Sequence, residues 1–86
     1  MNKVVIYGAV YCTFCMKAKK FLTGKNVPLD WIDTETEEGQ AQLLELQNKY
    51  NWRTIPMIFI EGRFVGGYTE LMNEVKNNTI NLDDLI

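Results

Sequence analysis

The 86-residue chain has no histidine and only two cysteines, Cys12 and Cys15. A structural zinc site usually takes four cysteine or histidine ligands, so one chain cannot supply such a site from these residues. Two cysteines three positions apart also close too short a loop for a disulfide to restrict the unfolded chain much. A zinc site within one chain is therefore not expected, and the pair would contribute little as a structural crosslink.

Long apolar runs are also missing. No stretch approaches the roughly 18 apolar residues of a membrane helix, and the opening MNKVVIY lacks the pattern of a secretory signal. Basic residues are not interleaved with aromatic ones, the pattern typical of nucleic-acid binding. We therefore expect a cytoplasmic protein that binds neither membranes nor nucleic acid. In a reducing cytoplasm, a close cysteine pair is more often catalytic or metal-binding than structural.

Charge is unevenly distributed, although the net charge is only −2. Residues 1–25 carry five lysines and no acid, whereas residues 30–45 carry six acids and no base. The lysines either attract anionic substrates or only form a helix face that is exposed to solvent, and the second role is the commoner one.

Apolar periodicity predicts one α/β domain over residues 1–86, because hydrophobic residues make up 47% of the chain and suffice for a modest core. Cys15, Ala18 and Leu22 share one face of a helix that follows Cys12 and ends at Gly24. Thr34 and Glu37 have the spacing of a capping box for a second helix. The predicted order is β-α-β-α-β-β-α, which makes a four-stranded mixed sheet with helices on both faces. The predicted strands span residues 3–7, 28–33, 57–60 and 63–65, with a tight turn at residues 61–62 between the last two.

The spacing of Cys12 and Cys15 beside a strand-helix-strand pattern is typical of a redox pair. Cys12 is predicted at the first turn of a helix, where unpaired N–H groups stabilise a thiolate, and Cys15 lies one turn later on the apolar face. We therefore predict that Cys12 attacks a disulfide and that Cys15 resolves the product. The alternatives are a metal-binding pair and two small apolar side chains of a helix, the latter explaining Cys15 better than Cys12.

Two further motifs are ambiguous when taken alone. Thr54-Ile55-Pro56 precedes the run MIFI, but any strand can begin after a proline. The stretch GGYT at residues 66–69 is either a flexible turn or a backbone that presents a helix N-terminus to a carboxylate. The two motifs follow the cysteine pair in this order, each at the end of a predicted sheet element, and this combination favours one functional site.

Nearly the whole chain resembles the glutaredoxins, through YCTFC at residues 11–15, RTIPMIFI at 53–60 and GGYTEL at 66–71. The last motif separates glutaredoxins from thioredoxins. The resemblance implies a thioredoxin-like fold with a cis Ile55–Pro56 bond, and glutathione as co-substrate. Two positions depart from the usual pattern of the family: Thr13-Phe14 stand in place of Pro-Tyr, and Ala9 stands where many relatives have a lysine or arginine.

The resemblance also implies a groove for glutathione. Thr54 and Ile55 pair through their backbone with the cysteinyl unit, residues 67–70 take the γ-glutamyl carboxylate, and Arg53 lies near the glycyl carboxylate. The residues implied to bind glutathione are Tyr11, Thr13, Phe14, Arg53, Thr54, Ile55, Pro56, Gly67, Tyr68, Thr69 and Glu70.

The implied function is that of a monomeric, dithiol-type, glutathione-dependent thiol–disulfide oxidoreductase acting on glutathionylated or disulfide-containing proteins. Two alternatives stay open. Some glutaredoxins without the proline after the first cysteine hold a [2Fe–2S] cluster between two protomers, which here would be ligated by Cys12 of each chain and two glutathiones. The other is electron donation to one dedicated reductase, such as ribonucleotide reductase, with reduction by a thioredoxin reductase; residues 66–69 disfavour it.

Overall fold

A computed structural model describes residues 2–86, in which four strands form one mixed sheet. The order across the sheet is β2-β1-β3-β4, with β1 parallel to β2 and antiparallel to β3, and β3 antiparallel to β4. The predicted order of elements, the mixed sheet and the thioredoxin-like fold class are confirmed. The strands are β1 (Val4–Gly8), β2 (Leu29–Asp33), β3 (Met57–Ile60) and β4 (Arg63–Gly66). The helices are α1 (Thr13–Gly24), α2 (Glu37–Tyr50) and α3 (Tyr68–Lys76), followed by a short 3₁₀ helix, Leu82–Leu85.

The helices cover both faces of the sheet, as predicted. Alternate residues of a strand point to opposite faces, so Val4 and Ile6 pack in one cluster and Val5 and Tyr7 against another. The first cluster contains residues of α1 and α3, and the second contains Leu43 of α2. All four residues of β3 are buried because this central strand is covered on both faces, which explains its continuous apolar sequence.

The β3–β4 hairpin has the predicted two-residue turn. Glu61 and Gly62 have φ angles of 51° and 81°, as a type I′ turn requires at both central positions. Within residues 2–86, no helix combines the length and the apolar character needed to cross a membrane.

The predicted capping box of α2 is wrong by two residues. The cap is Thr36, whose hydroxyl accepts a hydrogen bond from the Gly39 N–H at 3.0 Å. Thr34 is buried, and its N–H and hydroxyl donate to the Gly8 carbonyl oxygen at 3.0 and 3.3 Å. Thr34 therefore continues the β1–β2 contact beyond the ends of the strands, and the helix begins after it.

Candidate active site

The loop after β1 places Cys12 at the N-terminal end of α1. The Cys12 N–H donates to the Ala9 carbonyl oxygen at 3.1 Å, and the backbone of Cys12 is extended, as is usual for a residue that caps a helix. Its sulfur accepts a hydrogen bond from the Cys15 N–H at 3.2 Å. The sulfur thus occupies the position of a capping oxygen, where the helix dipole and an N–H group both favour negative charge.

Cys15 lies one turn further along α1, and its side chain is fully buried. It packs against Gly8, where an added Cβ would lie 3.0 Å from the Cys15 sulfur and 3.0 Å from the Trp31 ring. Burial, followed by the hydrogen bond with the Cys12 side chain, raises the pKa of the Cys15 thiol to about 12. At neutral pH, Cys15 is therefore a protonated thiol beneath a partly exposed Cys12.

This difference predicts selective alkylation over a wide pH range. With a pKa of about 12, only ~0.1% of Cys15 is ionised even at a pH of about 9, and only the thiolate reacts. We expect iodoacetamide to modify Cys12 in preference to Cys15 at every pH up to about 9, as measured by mass mapping of peptides. Unfolding in denaturant, the control, should make both residues reactive. Comparable modification of both cysteines in the folded protein would contradict the buried, protonated state of Cys15.

A groove of about 410 Å³ runs between the start of β3 and the start of α3. The Cys12 thiol reaches its wall, because it donates a weak hydrogen bond to the Ile55 carbonyl oxygen at 3.8 Å. The Ile55–Pro56 bond is cis, as implied by the resemblance. The groove brings together eight of the eleven residues implied to bind glutathione: Phe14, Thr54, Ile55, Pro56, Gly67, Tyr68, Thr69 and Glu70.

The start of α3 gives this groove both donors and a carboxylate. Gly67 caps the helix, and its N–H donates to the Glu70 carboxylate at 2.8 Å. The N–H groups of Tyr68 and Thr69 lie in the first turn and so have no partner within the helix. The groove therefore offers donors for an anionic group next to an acceptor for a cationic one.

The other three implied residues lie outside the groove. The Tyr11 hydroxyl donates to the Glu35 carboxylate at 3.4 Å, on the β2 side of Cys12. Thr13 is the exposed first residue of α1, and within residues 2–86 its hydroxyl makes no hydrogen bond to the Cys12 sulfur. Arg53 lines a neighbouring polar pocket together with Trp52.

Trp52 also lines the main groove, and sequence reasoning missed it. Its ring packs edge-on against Phe64, with the two centroids 5.2 Å apart. Its buried Nε1 has no hydrogen-bond partner within the described residues. Its neighbour Arg53 belongs to the motif that resembles the glutaredoxins, but no periodicity in the sequence separates Trp52 from an ordinary core aromatic.

The model of the glutaredoxin family matches residues 4–65. This chain belongs to the glutaredoxin family. Family membership and the thiols of Cys12 and Cys15 make it a thiol–disulfide oxidoreductase of the dithiol, CxxC type.

Individual relatives agree with this assignment. Glutaredoxin-1 of Rhizophagus irregularis is 34% identical over 80 residues, which cover 92% of this chain and 79% of the relative. Glutaredoxin 1 of Rickettsia typhi is 33% identical over 75 residues, covering 85% of this chain and 70% of the relative. The mitochondrial glutaredoxin-2 of Mus musculus is 36% identical over 67 residues, but these are only 43% of its length.

Solved structures show the same fold. The solution structure of a dithiolic glutaredoxin from Trypanosoma brucei brucei has a TM-score of 0.84 and 33% identity, and the match covers 98% of this chain and 86% of that one. The crystal structure of a buckwheat glutaredoxin–glutathione complex has a TM-score of 0.83 and 26% identity, covering 90% and 71% of the two chains.

Proposed function

We propose that this protein is a glutathione-dependent oxidoreductase that reduces glutathione mixed disulfides and protein disulfides, with Cys12 as the nucleophile and Cys15 as the resolving thiol. The observation that carries the proposal is the position of the Cys12 sulfur. It caps α1, accepts the Cys15 N–H at 3.2 Å, and lies 3.8 Å from the Ile55 carbonyl oxygen beside the groove.

Reduction of a glutathione mixed disulfide takes two exchanges. The Cys12 thiolate attacks the glutathionyl sulfur, the original S–S bond breaks, and the protein thiolate leaves and takes a proton from solvent. A second glutathione thiolate then attacks the glutathionyl sulfur on Cys12, which forms glutathione disulfide and returns Cys12 as a thiolate. The Cys15 N–H and the N-terminus of α1 stabilise that thiolate, so Cys12 is a good leaving group.

Reduction of a protein disulfide uses Cys15 in the second step. After Cys12 has formed a mixed disulfide with the substrate, its sulfur is neutral and no longer holds the Cys15 proton by a hydrogen bond to a thiolate. One cause of the raised pKa of Cys15 is thereby removed, although its burial remains. The Cys15 sulfur then attacks the Cys12 sulfur: the Cys12–Cys15 bond forms, the bond between Cys12 and the substrate breaks, and the departing substrate sulfur takes up the Cys15 proton.

The groove suits the chemistry of glutathione. The γ-glutamyl end carries a carboxylate, which the first-turn N–H groups of Tyr68 and Thr69 can bind, and an ammonium, which the Glu70 carboxylate can bind. When Cys12 ionises it no longer donates to the Ile55 carbonyl oxygen, so that oxygen becomes free to accept the cysteinyl N–H. Arg53, in the adjoining pocket, is proposed to attract the glycyl carboxylate.

A comparison of two substrates tests this assignment. One peptide is linked by a disulfide to glutathione and the other to cysteinylglycine, which lacks the γ-glutamyl unit. Because charge-assisted hydrogen bonds are lost with that unit, we expect kcat/KM to be about 10- to 100-fold lower for the second peptide. Dithiothreitol, which has no groove, serves as the control and should reduce both at similar rates. Equal kcat/KM values for the two peptides would contradict the groove assignment.

The iron–sulfur alternative needs four thiolates, and one chain has a single accessible cysteine sulfur, that of Cys12, because Cys15 is fully buried. Among residues 2–86, no group of three or more histidine, cysteine or acidic side chains is arranged to hold a metal ion. A cluster would therefore require a second copy of the chain and two glutathiones. That alternative stays a prediction. Two further predictions also stay open: that residues 1–86 act as one monomeric domain, and that the protein is cytoplasmic, where reduced glutathione would be available.

A further inference from the structure

Cys12 follows β1, which lies between β2 and β3 in the sheet. The residues on the β2 side and on the β3 side of Cys12 differ in charge. The groove for glutathione lies on the β3 side. On the β2 side, residues 33–38 read DTETEE, with four acids and no base. The two hydrogen bonds from Thr34 to the Gly8 carbonyl oxygen hold this acidic segment against the loop that leads to Cys12.

Exposed apolar residues also lie close to Cys12 along the chain. Val10, Tyr11 and Phe14 are 72%, 69% and 53% exposed, and they are three of the five large hydrophobic residues exposed in the described part of the chain. All three lie within two residues of Cys12; Phe14 lines the groove, whereas Val10 and Tyr11 do not. The hydrogen bond between Tyr11 and Glu35 at 3.4 Å joins this apolar surface to the acidic segment. A clustering of this kind beside a nucleophile indicates a surface that contacts a partner.

None of the four acids in residues 33–38 forms a salt bridge within the described part of the chain. Within residues 2–86 the one salt bridge joins Arg63 and Glu74, which are not part of the surface. The lysines of α1 in the first turns, Lys17 and Lys19, lie over the rings of Phe14 and Trp31, 5.2 and 4.6 Å from the centroids. The acidic segment therefore has four carboxyl groups without a salt-bridge partner, on the side of Cys12 where Tyr11 contacts Glu35.

We propose a docking surface for protein disulfide substrates whose reacting cysteine is flanked by apolar and basic residues. This surface consists of Val10, Tyr11, Glu35, Glu37 and Glu38. This inference rests on the proposed function. While Cys12 is joined to a substrate cysteine, residues that flank this cysteine on the β2 side are expected next to Val10 and Tyr11, where basic side chains among them can pair with the carboxylates. Anionic glutathione is directed to the opposite side, where Arg53 and the start of α3 lie.

Matched peptides test the docking surface. Two peptides carry one cysteine as a 2-pyridyl disulfide, flanked by valine and lysine in one and by valine and glutamate in the other. Cys12 attacks the peptide sulfur, the S–S bond breaks and 2-thiopyridone is released, which gives the rate constant by its absorbance. Each rate constant is divided by that of the same peptide with dithiothreitol, a neutral thiol, to remove the intrinsic difference in disulfide reactivity. We expect the lysine peptide to react at least about fivefold faster at low ionic strength, with a ratio that falls towards one as salt is added.

Variants test whether the acidic residues of the docking surface cause this ratio of rate constants. The triple change Glu35→Gln, Glu37→Gln and Glu38→Gln should bring the ratio close to one. The matched control Glu61→Gln, in the exposed β3–β4 turn at the opposite end of β3, should leave the ratio unchanged. A ratio near one in the unaltered protein, or a ratio that the triple change does not reduce, would overturn the inference. If glutathione mixed disulfides are still turned over in that case, the docking surface fails alone; if they are not, the proposed function fails.

Discussion

Replacement of Cys12 by serine is expected to lower the rate of glutathione mixed-disulfide reduction by at least about 10³-fold, because it removes the atom that forms the covalent intermediate. A serine hydroxyl is not ionised at neutral pH and cannot form a disulfide. Cys15 cannot substitute for the missing thiol, because it is fully buried, and this burial, the largest cause of its raised pKa, persists in the variant. The measurement is the consumption of NADPH coupled through glutathione reductase, with a glutathionylated peptide as substrate.

The matched variant Cys15→Ser should behave differently. We expect its rate of glutathione mixed-disulfide reduction to stay within about threefold of the original, because a second glutathione releases Cys12 without help from Cys15. Reduction of a protein disulfide should instead stop at a covalent complex that gel electrophoresis without reductant detects. Equal loss of mixed-disulfide reduction in both variants, with both proteins folded, would contradict the separate roles of the two thiols.

Gly39→Ala is expected to lower the free energy of unfolding by about 3 kcal/mol, or the midpoint of thermal unfolding by about 10–20 °C. Gly39 lies in the first turn of α2, and a Cβ there would overlap the carbonyl oxygen of Asp33. It would also lie 2.9 Å from the hydroxyl of Thr36, which caps the helix. Since the overlap is with backbone, the helix has to move, and this cost exceeds the gain of up to about 1 kcal/mol in helix propensity.

Gly24→Ala is the control for this change. Gly24 is the last residue of α1, and an added Cβ would meet no atom within 4 Å. We expect the free energy of unfolding to stay the same or to rise by up to about 1 kcal/mol. Both variants are compared by urea denaturation, with one common slope of the free energy of unfolding against urea concentration. A Gly39→Ala protein as stable as the original would mean that α2 does not approach Asp33 as closely as the structure shows.

The order of elements was predictable from the sequence because the buried apolar residues of helices and of strands recur with different periods along the chain. Cys15, Ala18 and Leu22 are all fully buried, as the helical period predicts, and the continuous run in β3 reflects burial on both faces. The start of α2 was not predictable from spacing alone. Whether Thr34 or Thr36 caps the helix depends on the contact of Thr34 with Gly8, which is 26 residues away along the chain.

The site was predictable in part for similar reasons. The helical period alone separates a partly exposed Cys12 from a buried Cys15. The groove depends on the meeting of β3 and α3, so it was implied only by the resemblance to a family. Nothing local to Tyr11 indicates that its hydroxyl contacts Glu35, which the parallel pairing of β1 and β2 brings beside it.

The central claim is that the Cys12 sulfur opens onto the groove between β3 and α3 and holds glutathione there. The most direct test is a map of backbone amide NMR shifts between the reduced Cys15→Ser protein and its glutathione adduct at Cys12. We predict the largest shift changes at Ile55 and at Tyr68 and Thr69, beyond those of the residues adjacent to Cys12. Shift changes concentrated at Glu35 and its neighbours on the β2 side, with Tyr68 and Thr69 unaffected, would contradict the account.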